Sequence, residues 1–243
     1  MIQVKNISKS YGNIAACTDI SFRLRQGTVT ALLGPNGAGK STILKIAAGV
    51  IFPDSGTVTV NGYDMFTDPI QARSEIGIVF ENNPLYTDQT VQEYLLFIAK
   101  MYGLSHKDSI ESVSACIKKY NLAEVLQRPI KELSHGFRQR TGLAAALVHN
   151  PSILILDEPT NGLDPLQIDE FRKIIREYAS GKTVIISTHI MQEVELLCDS
   201  AIMINRGGVL MQGPFDEIYA KTGKKSIEDA FIHLVRKSNG AGQ

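Results

Sequence analysis

One stretch of eight residues, Gly34-Pro35-Asn36-Gly37-Ala38-Gly39-Lys40-Ser41, constrains this chain more than any other. It reads G-x-x-x-x-G-K-[ST], the pattern of a phosphate-binding loop. Its flanks carry as much information as the pattern. Val29-Thr30-Ala31-Leu32-Leu33 before it is a short apolar run of strand type, and Ser41 to Ala48 after it is compatible with a helix stopped by Gly49. Phosphate binding needs that order. Glycines let backbone N–H groups turn inward and ring a phosphate. The new helix aims its positive end at the same place. Lys40 adds a full mobile charge for the outer phosphates, and the Ser41 hydroxyl can hold Mg²⁺.

The rest of the chain must therefore supply a sheet and helices around a nucleotide. With 243 residues, 44% of them apolar, it can bury a globular core. The 25 basic and 25 acidic residues cancel, and no block of like charge marks a nucleic-acid partner or an anionic membrane. Cys17, Cys116 and Cys198 lack metal-type spacing, so they read as small buried apolar residues in a reducing compartment. Met1-Ile2-Gln3-Val4-Lys5 is too polar for a signal peptide. No apolar stretch is long enough to cross a bilayer, so a span at a membrane must come from another chain.

Residues 2 to 30 read as a small antiparallel sheet, in which Ile20 to Arg25 alternates strictly and Gln26-Gly27 turns toward the strand before the loop. Thr57 to Val60 is a strand ended by an Asn61-Gly62 turn, and Glu75 to Phe80 is another. Thr90 with Glu93 opens a helix to about Met101, and Ser105 with Asp108 a second to about Lys119. Ser134 opens a third, to about His149, so residues 84–149 read as a helical insert. Strand pattern returns at Ile153 to Leu156. Asp164-Pro165 starts a helix to about Tyr178. Thr183 to Ser187 is the next buried strand and Ile190 to Leu197 the next helix. Ala201 to Ile204 and Val209 to Gln212 form a hairpin across Arg206-Gly207-Gly208. A last helix spans about Ser226 to Arg236, with Ser238 to Gln243 as a loose tail.

Four further features carry chemistry. Asp157-Glu158 ends the buried strand, where an acid can sit beside the phosphate loop. Asp157 is placed to anchor Mg²⁺, and Glu158, pointing differently, to act as general base on the attacking water. His189 follows the next strand and can reach a γ-phosphate oxygen or that water. Leu133-Ser134-His135-Gly136-Phe137 is a helix start and a second anion site. One nucleotide needs only one, so the second suggests a nucleotide shared between two copies. Tyr11, before Gly12, offers a flat ring to a base.

Together these residues resemble the ATPase subunits of ATP-binding cassette (ABC) transporters over roughly residues 1 to 220. The order is that family's: adenine loop (Tyr11), Walker A (34–41), the loop at Phe80-Glu81, signature (133–137), Walker B (153–158), Asp loop (Asn161 to Asp164) and switch His189. The resemblance implies an α/β fold: a phosphate-loop NTPase core with a mostly parallel sheet, a small antiparallel β subdomain and an inserted helical subdomain. Residues 1–220 would form the ATPase domain and 221–243 a short C-terminal helix and tail. It implies ATP and Mg²⁺ as ligands, with ATP between Gly34–Thr42 of one subunit and Ser134–Gly136 of the other, and Asp164 at the seam. It implies a membrane permease as partner and a place on the cytoplasmic face. Two positions depart from the family. Glu81 stands where Gln is usual, putting a carboxylate near Mg²⁺ and triphosphate, and the signature reads L-S-H-G-F in place of L-S-G-G-Q. These motifs, with Gly136 to Arg140 and Ser226 to Phe231, are similar to an export branch containing antibiotic-efflux, sodium-efflux and gliding-motility ATPases. The resemblance thus implies a hydrolysing exporter motor; the alternative is a poorly hydrolysing subunit of a heterodimer.

Overall fold

The computed structural model describes residues 1–240. The chain opens with β1 (Ile2–Tyr11) and β2 (Ile14–Arg23), an antiparallel hairpin. Next come β3 (Val29–Leu33), the phosphate loop and α1 (Lys40–Ala47). β4 (Ser55–Val60) and β5 (Tyr63–Asp64) rejoin the first hairpin, giving an antiparallel sheet of order β2-β1-β4-β5. The short α2 (Pro69–Ser74) leads to β6 (Ile76–Val79). Three helices follow: α3 (Val91–Met101), α4 (His106–Lys119) and α5 (His135–Leu147). Then β7 (Ile153–Asp157), α6 (Pro165–Ala179), β8 (Thr183–Thr188) and α7 (Met191–Leu197) alternate. A hairpin of β9 (Ser200–Asn205) and β10 (Gly208–Pro214) precedes α8 (Phe215–Thr222) and α9 (Ile227–Gly240). The second sheet has the order β10-β9-β3-β8-β7-β6, parallel except for its β10 edge.

The parallel strands are buried on both faces, which is why they read as unbroken apolar runs. Ile153 and Ile155 of β7 belong to a core shared with α1 and the antiparallel sheet. Leu154 and Leu156 face the opposite layer, with α3, α5 and α7. Three layers result. Gly77 marks how closely the inserted helices return to this sheet: a Cβ there would lie 2.2 Å from the Ala146 carbonyl oxygen of α5.

Local chemistry explains the helix starts. Thr90 and Glu93 form a reciprocal capping box. Ser105 and Ser134 accept from Asp108 N–H and Phe137 N–H. Asp164 accepts from Leu166 and Gln167 N–H, each at 3.0 Å. Three expectations change. The alternating strand at Ile20 to Arg25 ends at Arg23 and starts earlier, because β-bulges with Asn6 (φ 49°) and Asp19 (φ 53°) break the period in the β1–β2 pair. The strand read as Glu75 to Phe80 is trimmed to Ile76–Val79. Ser238 to Gly240 continue α9 rather than a tail, and 241–243 lie outside the described residues. The three cysteines are buried and free, and burial pushes the thiols of Cys116 and Cys198 up to about 11 and about 12.

His149, just past α5, ties the insert to the sheet. Its Nε2 donates to the Ile76 carbonyl at 3.1 Å, and its ring stacks on Tyr102 with centroids 3.5 Å apart. Burial lowers it from 6.5 to about 4, against the smaller opposing effect of the Ile76 bond. The unfolded chain therefore binds this proton first as pH falls. The stability from neutral His149 is complete above pH 6.5 and is lost progressively down to about pH 4, by about 2–3 kcal/mol. Urea unfolding of wild type and His149→Gln at pH 7.5 and 4.5 checks this: the acid loss is smaller in the variant by that amount.

Candidate functional site

The site is built by strand register. Leu33 of β3 lies opposite Thr188 of β8, and Asp157 of β7 opposite Ser187 of β8. The residues that follow these strands, Gly34, Glu158 and His189, thus emerge side by side at one carboxyl edge, where open α/β sheets bind ligands. The loop then turns into α1 at Gly39, whose φ of 100° and lack of a side chain are both required: a Cβ would sit 2.2 Å from the Ala16 carbonyl oxygen. Gly34 is pressed against β9, where a Cβ would meet the Ile204 carbonyl oxygen at 2.7 Å. Gly207 N–H donates to Ala38 O at 3.2 Å and bolts the loop to the β9–β10 turn.

Buried charge fills the centre. Lys40 is 7% exposed and donates to the carbonyls of Gly34 at 2.9 Å and Pro35 at 3.4 Å. Its ammonium is 3.7 Å from Glu158 Oε1. His189 Nδ1–H donates to Glu158 Oε2 at 2.8 Å. Both Glu158 oxygens thus face a cationic or donor group, which a buried carboxylate needs. Glu158 also has a φ of 48°, a left-handed conformation costing about 1–2 kcal/mol for a residue with a side chain. Its N–H is held by the Ser187 carbonyl and hydroxyl, each at 3.1 Å. Glu158 lines the cavity described below, and Asp157 does not. Asp157, 3% exposed, accepts from the Ser187 hydroxyl.

A cavity of about 400 Å³ opens above these groups, within the usual range for ligand sites. The structure brings Tyr11, Asn36, Gly37, Gly39, Lys40, Ser41, Thr42, Glu81, Glu158 and His189 to its wall. Tyr11 is half exposed at the end of β1, next to the turn at Gly12. Pro35 is exposed beside the loop and Ala38 buried beneath it. Asp157 lies behind the wall. Ser134, Gly136 and Asp164 are not in this cavity. They sit together elsewhere: a Cβ on Gly136 would lie 2.8 Å from the Gln167 side chain, whose Oε1 accepts from Asp164 N–H. His135 is exposed, and its Nε2 donates to the Asn161 carbonyl at 2.9 Å. Asn161 in turn donates to Glu81 at 3.4 Å. Sequence reasoning missed Ser187, Asn161 as a partner of Glu81, and the Ala15-Ala16 wall. Ser187 carried a signal, a hydroxyl in an apolar strand.

The donors present suit Mg²⁺: a hydroxyl and carboxylates, all hard oxygens. Among the described residues no cluster of three or more His, Cys, Asp or Glu could hold a metal by itself.

The sequence profile described as "ABC transporter" matches residues 17–161, from Cys17 in β2 to the turn at Asn161. The chain belongs to the ABC transporter family. It is 37% identical over 245 residues to the linearmycin resistance ATP-binding protein LnrL of Bacillus subtilis, covering 97% of this chain and 79% of that one. It is 36% identical over 236 residues to the lantibiotic transport ATP-binding protein SrtF of Streptococcus pyogenes, covering 97% of each. A solved ATP-binding subunit of an ABC transporter superposes with a TM-score of 0.90 at 30% identity, over 97% of this chain and 99% of that one. The dimeric MJ0796, a bacterial ABC transporter cassette, superposes at 0.80 with 26% identity, over 88% and 98%. This ABC protein is an ATPase. Its phosphate loop has no room for a methyl group at Gly39. Gly39→Ala is expected to keep the far-ultraviolet circular dichroism of wild type and lose fluorescent ATP-analogue binding by at least about tenfold.

Proposed function

We propose that this ABC ATPase is the motor of an exporter, working as a head-to-tail dimer on a separate membrane permease. The observation that carries this reading is the division of its anion-binding elements. Lys40, Glu158 and His189 share one cavity, while the capped α5 start at Ser134 and Gly136 lies outside it, packed with the Asp164 turn. A second copy, turned head to tail, would bring Ser134 and Gly136 to the far side of the ATP. Asp164 would then line the seam. Among the described residues no helix is long and apolar enough to cross a membrane. The names of the relatives, antibiotic resistance and lantibiotic transport, support the export direction.

The chemistry follows from the observed pairs. Lys40 donates to two carbonyls and pairs with Glu158. ATP phosphates are stronger partners for an ammonium than carbonyls are. Lys40 would turn to them, and its pair with Glu158 would loosen. Glu158 Oε1 is then free to take a proton from the water that attacks the γ-phosphate. His189, donating from Nδ1 to Oε2, fixes the carboxylate plane. Tyr11 would stack on adenine. Ser41 and Asp157 would hold Mg²⁺, with Glu81 beside it; bound there, Mg²⁺ neutralises phosphate charge. Closure of two copies on ATP would be driven because the ligand contacts both only when they are closed.

Three variants test the assignment. Glu158→Gln keeps the shape and loses the base, so turnover falls about 10²–10⁴-fold while ATP binding persists. Lys40→Ala loses binding itself. Glu158→Gln hydrolysing at the wild-type rate would mean the base has been misassigned. Ser187→Ala frees the Asp157 carboxylate, so the Mg²⁺ needed for half-maximal turnover rises by at least about tenfold. An unchanged Mg²⁺ requirement would remove Asp157 from the metal site.

A further inference from the structure

His189 is carried at the entrance to α7, and α7 cannot hold it in place alone. The helix has seven residues, no side-chain cap and an entry at Ile190 in extended geometry. Helices shorter than about 12 residues are marginal on their own, so outside contacts must set how α7 is turned about its axis. Its apolar stripe, Val194 and Leu197, is buried in the core but directs only one face.

Two glutamates fix the other directions. Glu193, 9% exposed, accepts from the Thr160 hydroxyl at 2.7 Å. Thr160 lies two residues after Glu158, so this bond ties α7 to the loop that carries the base. Glu195 faces the other way. Its Oε1 accepts from the N–H of Ile227, the first residue of α9, at 2.7 Å and from the Tyr219 hydroxyl of α8 at 2.9 Å. Burial first, and then the Glu195 bond, push Tyr219 up to about 12, so the hydroxyl stays a donor. The α9 start is independently fixed: Ser226 caps Asp229 N–H at 3.1 Å, and Ile227 and Ala230 are fully buried.

We infer that Glu195 is a positioning residue for ATP hydrolysis: by joining α7 to the C-terminal helices α8 and α9, it holds His189 against Glu158. Glu195 is outside the wall of the nucleotide cavity, and it acts through the turn of α7. This assigns the C-terminal helices a part in turnover. The inference rests on the reading of His189 given above.

Steady-state kinetics of the full chain with Glu195→Ala, Glu195→Gln, Tyr219→Phe and His189→Ala test it. Small displacements of positioning groups cost rate more than binding, so Glu195→Ala should lower kcat about tenfold with KM for ATP changed by less than about twofold. The Gln side chain keeps an oxygen acceptor for both donors, and Glu195→Gln should recover most of kcat. Tyr219→Phe removes one oxygen from a partly buried site, guards against a folding defect, and should lower kcat by about threefold. The imidazole resonances of His189 should shift in Glu195→Ala and return in Glu195→Gln. A wild-type kcat with unmoved His189 resonances in Glu195→Ala would overturn the inference, as would a loss that Gln does not restore. If His189→Ala itself turned over normally, the reading of His189 would fall, and this inference with it. If His189→Ala is inactive and Glu195→Ala is not impaired, only the inference falls.

Discussion

Parallel pairing of β3, β8 and β7 is the constraint on which everything else depends. Three neighbouring strands in register end within one residue of each other, so Gly34, Glu158 and His189 emerge at one edge. A side chain on the next residue of a buried strand end is aimed by the sheet rather than by a loop. A slip of one residue in β7 would exchange Asp157 and Glu158 between the space behind the cavity wall and the wall itself. The core enforces register by splitting each strand between two apolar layers, Ile153 and Ile155 on one side and Leu154 and Leu156 on the other. Site precision is thus a by-product of hydrophobic packing.

Charge in so buried a place has to be compensated. Lys40, Glu158 and His189 do this for one another. An isolated buried carboxylate would cost several kcal/mol, far more than the left-handed strain of about 1–2 kcal/mol at Glu158. Smaller ties extend this order outward, through Ser187 to Asp157, through Asn161 to Glu81, and through Glu193 to Thr160.

The chemistry was legible where it depends on local pattern. A glycine loop between an apolar strand and a helix, an acid pair ending a buried strand, and Ser or Thr three residues before an acid all act over a few residues, and each is where it was read. What escaped has physical reasons. α2 has six residues, too few to show a period. α8 begins at Phe215 after a proline with no side-chain cap to announce it. β1 and β2 carry bulges that scramble alternation. Bonds such as Tyr219 to Glu195 join residues 24 apart and leave no trace in composition or spacing. Among the site residues, those that bind through backbone geometry were visible. Ser187 showed only as a hydroxyl in an apolar strand, and its bond to Asp157 only in the folded chain.

The account rests on an ATP site completed by a second copy. The most direct measurement is the molar mass of the Glu158→Gln variant in solution, by light scattering, with and without Mg-ATP. The account predicts a species near 26.6 kDa without nucleotide and one of twice that mass with it. A mass that stays at 26.6 kDa while ATP is demonstrably bound would contradict it.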